Sequence, residues 1–243
     1  MDSVKRFSSR VENYQRFRPS YPLNVIDLLI TKCDINANSV IIDVGAGTGI
    51  FTKLLLKTPA KVIAVEPNNE MRAAINPSSR LEVLGTTAEN TGLVESSVDL
   101  LCTAQAFHWF NPELTRKEFS RILKKGGWIS LLWNTRKISD GFMKDYDKFL
   151  DLHNSDYREV VHTNPARIEV LSNFADWEKY EFRNVQTFDL EGLIGRYLSS
   201  SYAIPRDDAE FPRDALKELF ERWEKNRKIN FEYTTEVFLG RWE

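Results

Sequence analysis

The sequence predicts an α/β fold, a mostly parallel sheet of seven strands with helices on both faces. Three observations carry this. Short, β-branched apolar runs alternate along the chain with segments of helical period, as in successive β-α units. The first run, residues 40–44, turns through Gly45, Gly47 and Gly49 into a helix. The second ends in an acidic residue, Glu66, about twenty positions after Gly45, the place where such sheets accept a ribose. A length of 243 residues suits one domain of this kind, and 42% hydrophobic with 28% charged residues is ordinary globular composition.

Taken in order, residues 11–22 mix aromatics with arginines and do not read as a buried strand. They are placed to fold over a ligand as a cover spanning residues 1–22, or else form a frayed terminus with surface aromatics. Pro22 suits the first position of a helix whose inward face is Val25, Leu28 and Leu29, ending near residues 34–38. After the glycine turn, Phe51, Leu54 and Leu55 repeat the helical spacing until Pro59. Residues 61–67 form the second strand, 81–84 the third and 98–103 the fourth. Asn111, Pro112 and Glu113 cap and open the next helix, with Phe119, Ile122 and Leu123 inward. Lys124 and Lys125 are expected in its last turn, and Gly126 with Gly127 to stop it before the fifth strand, residues 128–133.

Residues 136–176 read as a charged helical insertion, a subdomain or lid, within a single domain covering 1–243. Tyr180 and Phe182 alternate with polar residues in a strand reaching about Phe188, and Asp189 caps a short helix. Leu216, Leu219, Phe220 and Trp223 stripe one face of the next helix. Residues 229–233 and 236–242 close the chain as a strand or hairpin.

A formal net charge of −2 supplies none of the basic footprint expected of a nucleic-acid binder, so a small-molecule substrate is expected and no nucleic acid. Cys33 and Cys102 stand singly, which predicts neither a disulfide framework nor a metal site. No apolar run approaches a membrane span and the amino end lacks a signal sequence, so the cytoplasm is the expected location.

The turn Asp43-Val44-Gly45-Ala46-Gly47-Thr48-Gly49 has a polarity of its own. In a dinucleotide fingerprint the third glycine falls one residue later and meets a pyrophosphate. Asp43 would repel that group but suits an ammonium or sulfonium centre, which disfavours a nicotinamide oxidoreductase. Glu66 is the ribose anchor, and the loop holding Thr87, Ala88 and Glu89 offers backbone groups to an adenine edge.

These features together resemble the class I S-adenosylmethionine (SAM) dependent methyltransferases: the glycine turn, the acidic second strand end, Thr87-Ala88-Glu89, the aromatic stretch after strand four, and Leu123-Lys124-Lys125-Gly126-Gly127. Within that class, residues 14–22, the stretch Gln105-Ala106-Phe107-His108-Trp109-Phe110 and Ser201-Tyr202 are similar to the small-molecule branch that includes trans-aconitate methyltransferase-like proteins. The resemblance implies a Rossmann-like seven-stranded sheet whose last strand is antiparallel, with SAM as cofactor. It puts the methionyl end of SAM on Asp43, Gly45, Ala46, Gly47 and Gly49, its ribose on Glu66, and adenine beside Pro67, Thr87, Ala88 and Glu89. Gln105 and Ala106 would line the sulfonium side, with Tyr14 and Arg18 closing over the cofactor carboxylate. The familiar Asp before the Ala-Glu pair is Thr87 here.

An acceptor pocket is expected from Phe107, His108, Trp109, Trp133, Asn134 and Tyr202, aromatic walls with a few polar groups that suit a small organic acceptor. O-methylation is the expected reaction, with a carboxylic acid as one acceptor class. His108 is the candidate catalytic base, or an imidazole packed between Phe107 and Trp109 for structure. A SAM-binding protein without activity, or a methyltransferase acting on a macromolecule, is the alternative.

Overall fold

The computed structural model describes residues 11–154, 157, 175–200, 203 and 211–242. In chain order the elements are α1 (Val11–Phe17), α2 (Leu23–Lys32), β1 (Val40–Val44), α3 (Ile50–Leu55), β2 (Lys61–Val65), α4 (Asn69–Ala73), β3 (Leu81–Leu84) and β4 (Val98–Ala104). After a 3-10 turn (Phe107–Trp109) come α5 (Pro112–Ile122), β5 (Leu123–Arg136), α6 (Gly141–His153), β6 (Ala175–Phe188), α7 (Leu190–Leu198), α8 (Arg213–Trp223) and β7 (Ile229–Trp242).

The seven strands form one sheet in the order β3-β2-β1-β4-β5-β7-β6. Strands β1 to β5 pair in parallel, and β7 runs antiparallel between β5 and β6. This is the Rossmann-like arrangement expected, including the antiparallel last strand. Strand order reverses between β1 and β4, so the crevice outside their carboxyl ends is where the topology leaves room for a ligand.

Alternation along the central strands builds a core on each face. Ile41 and Leu100 join Val25, Leu29, Phe51 and Leu55 of α2 and α3, whereas Ile42 and Leu101 join Phe119 and Ile122 of α5. Each such buried aliphatic side chain contributes roughly 1.5–3 kcal/mol by leaving water. A third cluster forms where α6, α7 and α8 lie over the first half of β7, around Tyr146, Phe149, Leu193, Leu216 and Phe231. Among the described residues no helix is long and apolar enough to cross a membrane.

Several boundaries differ from expectation. Helix α5 stops at Ile122, and Leu123 already pairs with Val98, so Lys124 to Gly127 belong to an irregular strand start rather than to a helix end. The cause is Asp99, whose carboxylate accepts from Lys124 Nζ at 2.7 and 2.8 Å and from Val40 N at 2.8 Å, pulling this stretch into the sheet. Strand β6 starts at Ala175, ahead of Tyr180, because its full length pairs with β7. Of the two closings expected for residues 229–242, a strand or a hairpin, the chain takes the single continuous strand. The short helices α1 and α4 carry no periodic stripe long enough to announce them. Of the expected insertion, α6 is described, and most of 154–174 lies outside the described residues, as do residues 1–10 of the cover and Tyr202.

Candidate functional site

The glycine turn sits at the switch point. Gly45, Gly47 and Gly49 have φ of +74°, +57° and +80°, where a side chain is strained. Close approach adds to this at Gly45, where a Cβ would lie 2.5 Å from the Ala106 Cβ. At Gly47 a Cβ would meet only Met71 Sδ, at an ordinary contact distance of 3.7 Å. The turn is tied to the next strand, since Gly45 N and Ala46 N both donate to Val65 O at 2.9 and 3.0 Å.

Glu66 braces the turn from β2. Its Oε2 accepts from Gly47 N and its Oε1 from Asn68 N, each at 2.8 Å. Each oxygen keeps a further lone pair, which two ribose hydroxyls can use. Burial pushes the Glu66 carboxyl above its ordinary value, against the pull of those N–H groups and of Arg72. Arg72 holds the loop after β2 by donating to Glu66 O and Pro67 O.

Asp43 lies at the end of β1 with almost no exposure. Its Oδ2 accepts from Thr52 Oγ1 at 2.6 Å, and its Oδ1 has no hydrogen-bond partner among the described residues. Burial pushes its pKa up to about 7, with the Glu66 charge adding to this and the Thr52 bond opposing it. A buried carboxylate with one orphaned oxygen costs free energy until a donor or cation meets it. That is a fit to the ammonium or sulfonium of SAM.

The loop expected to meet adenine is held by α5. Thr91 donates from N and Oγ1 to Glu118 Oε1 at 2.9 and 2.6 Å. Ala88 is buried, Thr87 bridges to Asn90, and Glu89 Oε1 accepts from Asn111 N at 2.9 Å. Glu89 thus steadies the start of α5, which leaves the Ala88 backbone as the nearer candidate for a base edge.

Residues 11–21 reach from the end of α4 to α7 and the edge of β6. Gln15 Nε2 donates to Ala74 O beside α4, while Phe17 meets α7 and packs edge-on to Phe188 with centroids 6.4 Å apart. A Cβ at Gly195 of α7 would fall 2.1 Å from the Phe17 ring, so this seat exists because residue 195 has no side chain. The Arg18 guanidinium lies over the Tyr14 ring at 4.9 Å and donates from Nε to Ser199 O at 3.1 Å. Tyr21 is buried edge-on to Phe51 at 5.0 Å, close enough to Asp43 and Tyr14 for their charges to add to the rise that burial gives its pKa.

The strand β4 edge is divided. Gln105 has φ +55°, a left-handed conformation unusual for its type, and Nε2 donates to Asn134 O at 3.1 Å. Ala106 is buried against Gly45. Phe107 and Trp133 are taken up in the core on the α5 face, so they back the site from behind. Trp109 is 39% exposed and its ring stands 4.8 Å from that of His108. Asn134 is buried among hydrogen-bond partners. Thr52, Tyr21, Asn68 and Met71 escaped the sequence reading. Thr52 alone carried a signal, as the first-turn polar residue on the inward face of the helix after the glycines.

The comparisons with known proteins agree with this geometry. Residues 42–131 match the family described as "Methyltransferase domain". An uncharacterized methyltransferase of Mycobacterium tuberculosis is 34% identical over 207 residues, 84% of this chain and 79% of that protein. A malonyl-[acyl-carrier protein] O-methyltransferase of Marinomonas is 28% identical over 180 residues, 70% of this chain and 63% of its own length. The solved structure of a type II methyltransferase from Anaeromyxobacter dehalogenans superposes with a TM-score of 0.73 at 19% identity, covering 93% of this chain and 98% of that one. With the sheet order, the glycine turn and the orphaned Asp43 oxygen, these likenesses lead to one conclusion: the chain belongs to the class I methyltransferases and is an enzyme that uses S-adenosylmethionine.

Proposed function

We propose that the enzyme methylates a small molecule on oxygen, with a carboxylic acid as the leading acceptor class, in the manner of the trans-aconitate methyltransferase-like branch. The observation that carries this is Arg196, which is 4% exposed on α7. Its Nε donates to Tyr233 Oη at 3.1 Å and its guanidinium to the Ser200 hydroxyl at 2.9 Å, beside the Phe231 ring. Arg136, at the end of β5, lies over the rings of Tyr146 and Tyr157. Two guanidiniums among aromatic rings next to the cover suit an acceptor with an apolar body and an anionic end. The Marinomonas relative, by its name an O-methyltransferase, supports the choice of oxygen.

Bound SAM supplies an electrophilic methyl group on a sulfonium sulfur. The chain's part is to hold and shield it, with Asp43 and the glycine turn at the methionyl end, Glu66 at the ribose, Pro67, Thr87, Ala88 and Glu89 around adenine, and Gln105 and Ala106 beside the sulfur. Tyr14 and Arg18 close over the carboxylate. Alignment of two bound reactants and exclusion of water can supply roughly 7–11 kcal/mol of the barrier, so a base is needed only for an acceptor that must lose a proton. His108, half-buried just after β4, would serve as that base. On this reading residues 1–22 are the cover, residues 136–176 are the insertion or lid of a single methyltransferase domain, and the enzyme works in the cytoplasm.

A metabolite-library screen with tritiated SAM, followed by mass spectrometry of the labelled product, tests the proposal. Label in a small carboxylate or hydroxyl compound is expected. Label confined to protein or RNA, or no transfer at all despite cofactor binding, would overturn it.

A further inference from the structure

Three side-chain carboxamides grip the backbone where α1 gives way to α2. Asn134 Nδ2 donates to Ser20 O at 3.2 Å, and Asn184 Nδ2 donates to the same oxygen at 2.6 Å. Gln186 Nε2 donates to Arg18 O at 3.2 Å and Phe17 O at 3.4 Å. The segment from Arg18 to Pro22 belongs to no helix or strand and includes Pro19, so its carbonyls need side-chain partners. Asn184 and Gln186 share one face of β6, two residues apart, and Asn134 stands on β5.

Asn134 differs from the other two in what else it holds. Its Oδ1 accepts from Thr235 Oγ1 at 2.5 Å and from Asn184 Nδ2 at 3.1 Å, which fixes the amide with Nδ2 toward Ser20. Its backbone oxygen accepts from Gln105 Nε2, the residue held at φ +55° at the end of β4. Gln105 is followed by Ala106, on which Gly45 rests, and Ser20 is followed by Tyr21, which packs on Phe51 beside Asp43. One buried residue therefore touches both the root of the cover and the strand edge that supports the cofactor turn.

We propose that Asn134 is a positioning residue that locks the root of the cover to the β4 edge, and that it governs how long the cofactor is retained rather than how fast it enters. It reaches the cofactor through Ser20 and Gln105 and serves as a strut instead of a pocket wall. With the amide removed, the cover and the strand edge keep their own folds but no longer share a register. The cofactor enters before the cover settles, so the association rate does not depend on this strut, whereas escape requires the cover to lift.

The test uses S-adenosylhomocysteine as probe on the full chain. Asn134→Asp keeps both acceptor bonds to Oδ1 and turns the donation to Ser20 O into a repulsion between two oxygens, and Asn134→Ala removes all three side-chain bonds without adding a charge. Stopped-flow binding should show dissociation faster by about fivefold to tenfold, the worth of one or two hydrogen bonds, with association changed less than about twofold. Hydrogen exchange over residues 14–21 in the complex should rise in step. Asn184→Ala leaves the Asn134 to Ser20 bond and the Gln105 link in place and should change dissociation less. If both Asn134 variants fail to fold, Thr235→Val removes one of the two bonds that aim the Asn134 amide at Ser20 and should reproduce part of the faster release. Lowered thermal stability with release unchanged would make Asn134 a purely structural residue, and equal changes in association and dissociation would refute the retention role.

Discussion

Asp43→Asn should make the ligand-free enzyme more stable at alkaline pH while weakening its hold on the cofactor. The Asp43 carboxyl has an ordinary value of 3.8 and is raised by burial to about 7 in the fold. The stability that its proton contributes is complete below about pH 4 and is lost as the pH rises to about 7. At about 1.36 kcal/mol per decade, the folded state well above pH 7 carries a burden of roughly 4 kcal/mol from this one charge. An amide carries no charge and can still accept from Thr52, but its NH₂ takes the place of the orphaned Oδ1 and costs about 1–2 kcal/mol. The net gain at pH 8.5 is then about 2–3 kcal/mol, or roughly 5–10 °C in melting temperature for a chain of this size. At pH 5 the wild-type carboxyl is already protonated and the gain should vanish or reverse. Thermal unfolding of both proteins at the two pH values reads this directly, and S-adenosylhomocysteine affinity at pH 8.5 should fall by about 1–3 kcal/mol in the variant. A stability difference that is the same at pH 5 and pH 8.5 would refute the argument, because it would mean that Asp43 ionises as an ordinary carboxyl.

Other outcomes follow from the same site. Glu66→Ala should weaken S-adenosylhomocysteine binding by about 1–3 kcal/mol in calorimetric titration, with the fold retained, since it removes the brace on Gly47 along with the ribose partner. Gly45→Ala should abolish measurable binding, because the new Cβ meets Ala106 at 2.5 Å in a backbone at φ +74°; a soluble variant with unchanged affinity would contradict the need for close approach there. For a hydroxyl acceptor, His108→Ala should lower kcat by about 10²–10⁴ while leaving cofactor affinity alone, and for an acceptor already ionised it should leave kcat almost unchanged. Steady-state kinetics across pH on the acceptor found by screening separates the two cases.

Most of the sheet could be read from the chain because its central strands are buried on both faces and so announce themselves as short β-branched runs, with the glycine turn fixing direction. Where the pattern misled, a single long-range contact had overridden a local signal. Lys124, Lys125 and the two glycines spell a helix end, yet Asp99, remote in sequence, draws Lys124 into the sheet. The site divides in the same way. The positive-φ turn at Gly45 and Gly47, and the carboxylates of Asp43 and Glu66 at the ends of β1 and β2, were legible because backbone geometry and charge are local properties. For Phe107 and Trp133 residue type gives an aromatic character but not the face each ring takes, which is decided by what α5 and β7 bring against it. Tyr21, Met71 and the strut role of Asn134 depend on partners far along the chain, and no spacing in the sequence encodes them.

The seat of Phe17 on α7 is made by subtraction: atoms missing at position 195 admit the ring. A hydrogen-bonded latch can slacken by degrees, but a steric notch accepts its key or rejects it, so the resting height of the cover is set by the size of one side chain. Arg18 follows Phe17 directly, so anything that lifts the ring also shifts the guanidinium from Ser199. Position 195 is therefore a switch rather than a dial: even an alanine there puts a carbon 2.1 Å from the ring, so Phe17 has to leave its seat and the Arg18 guanidinium moves with it.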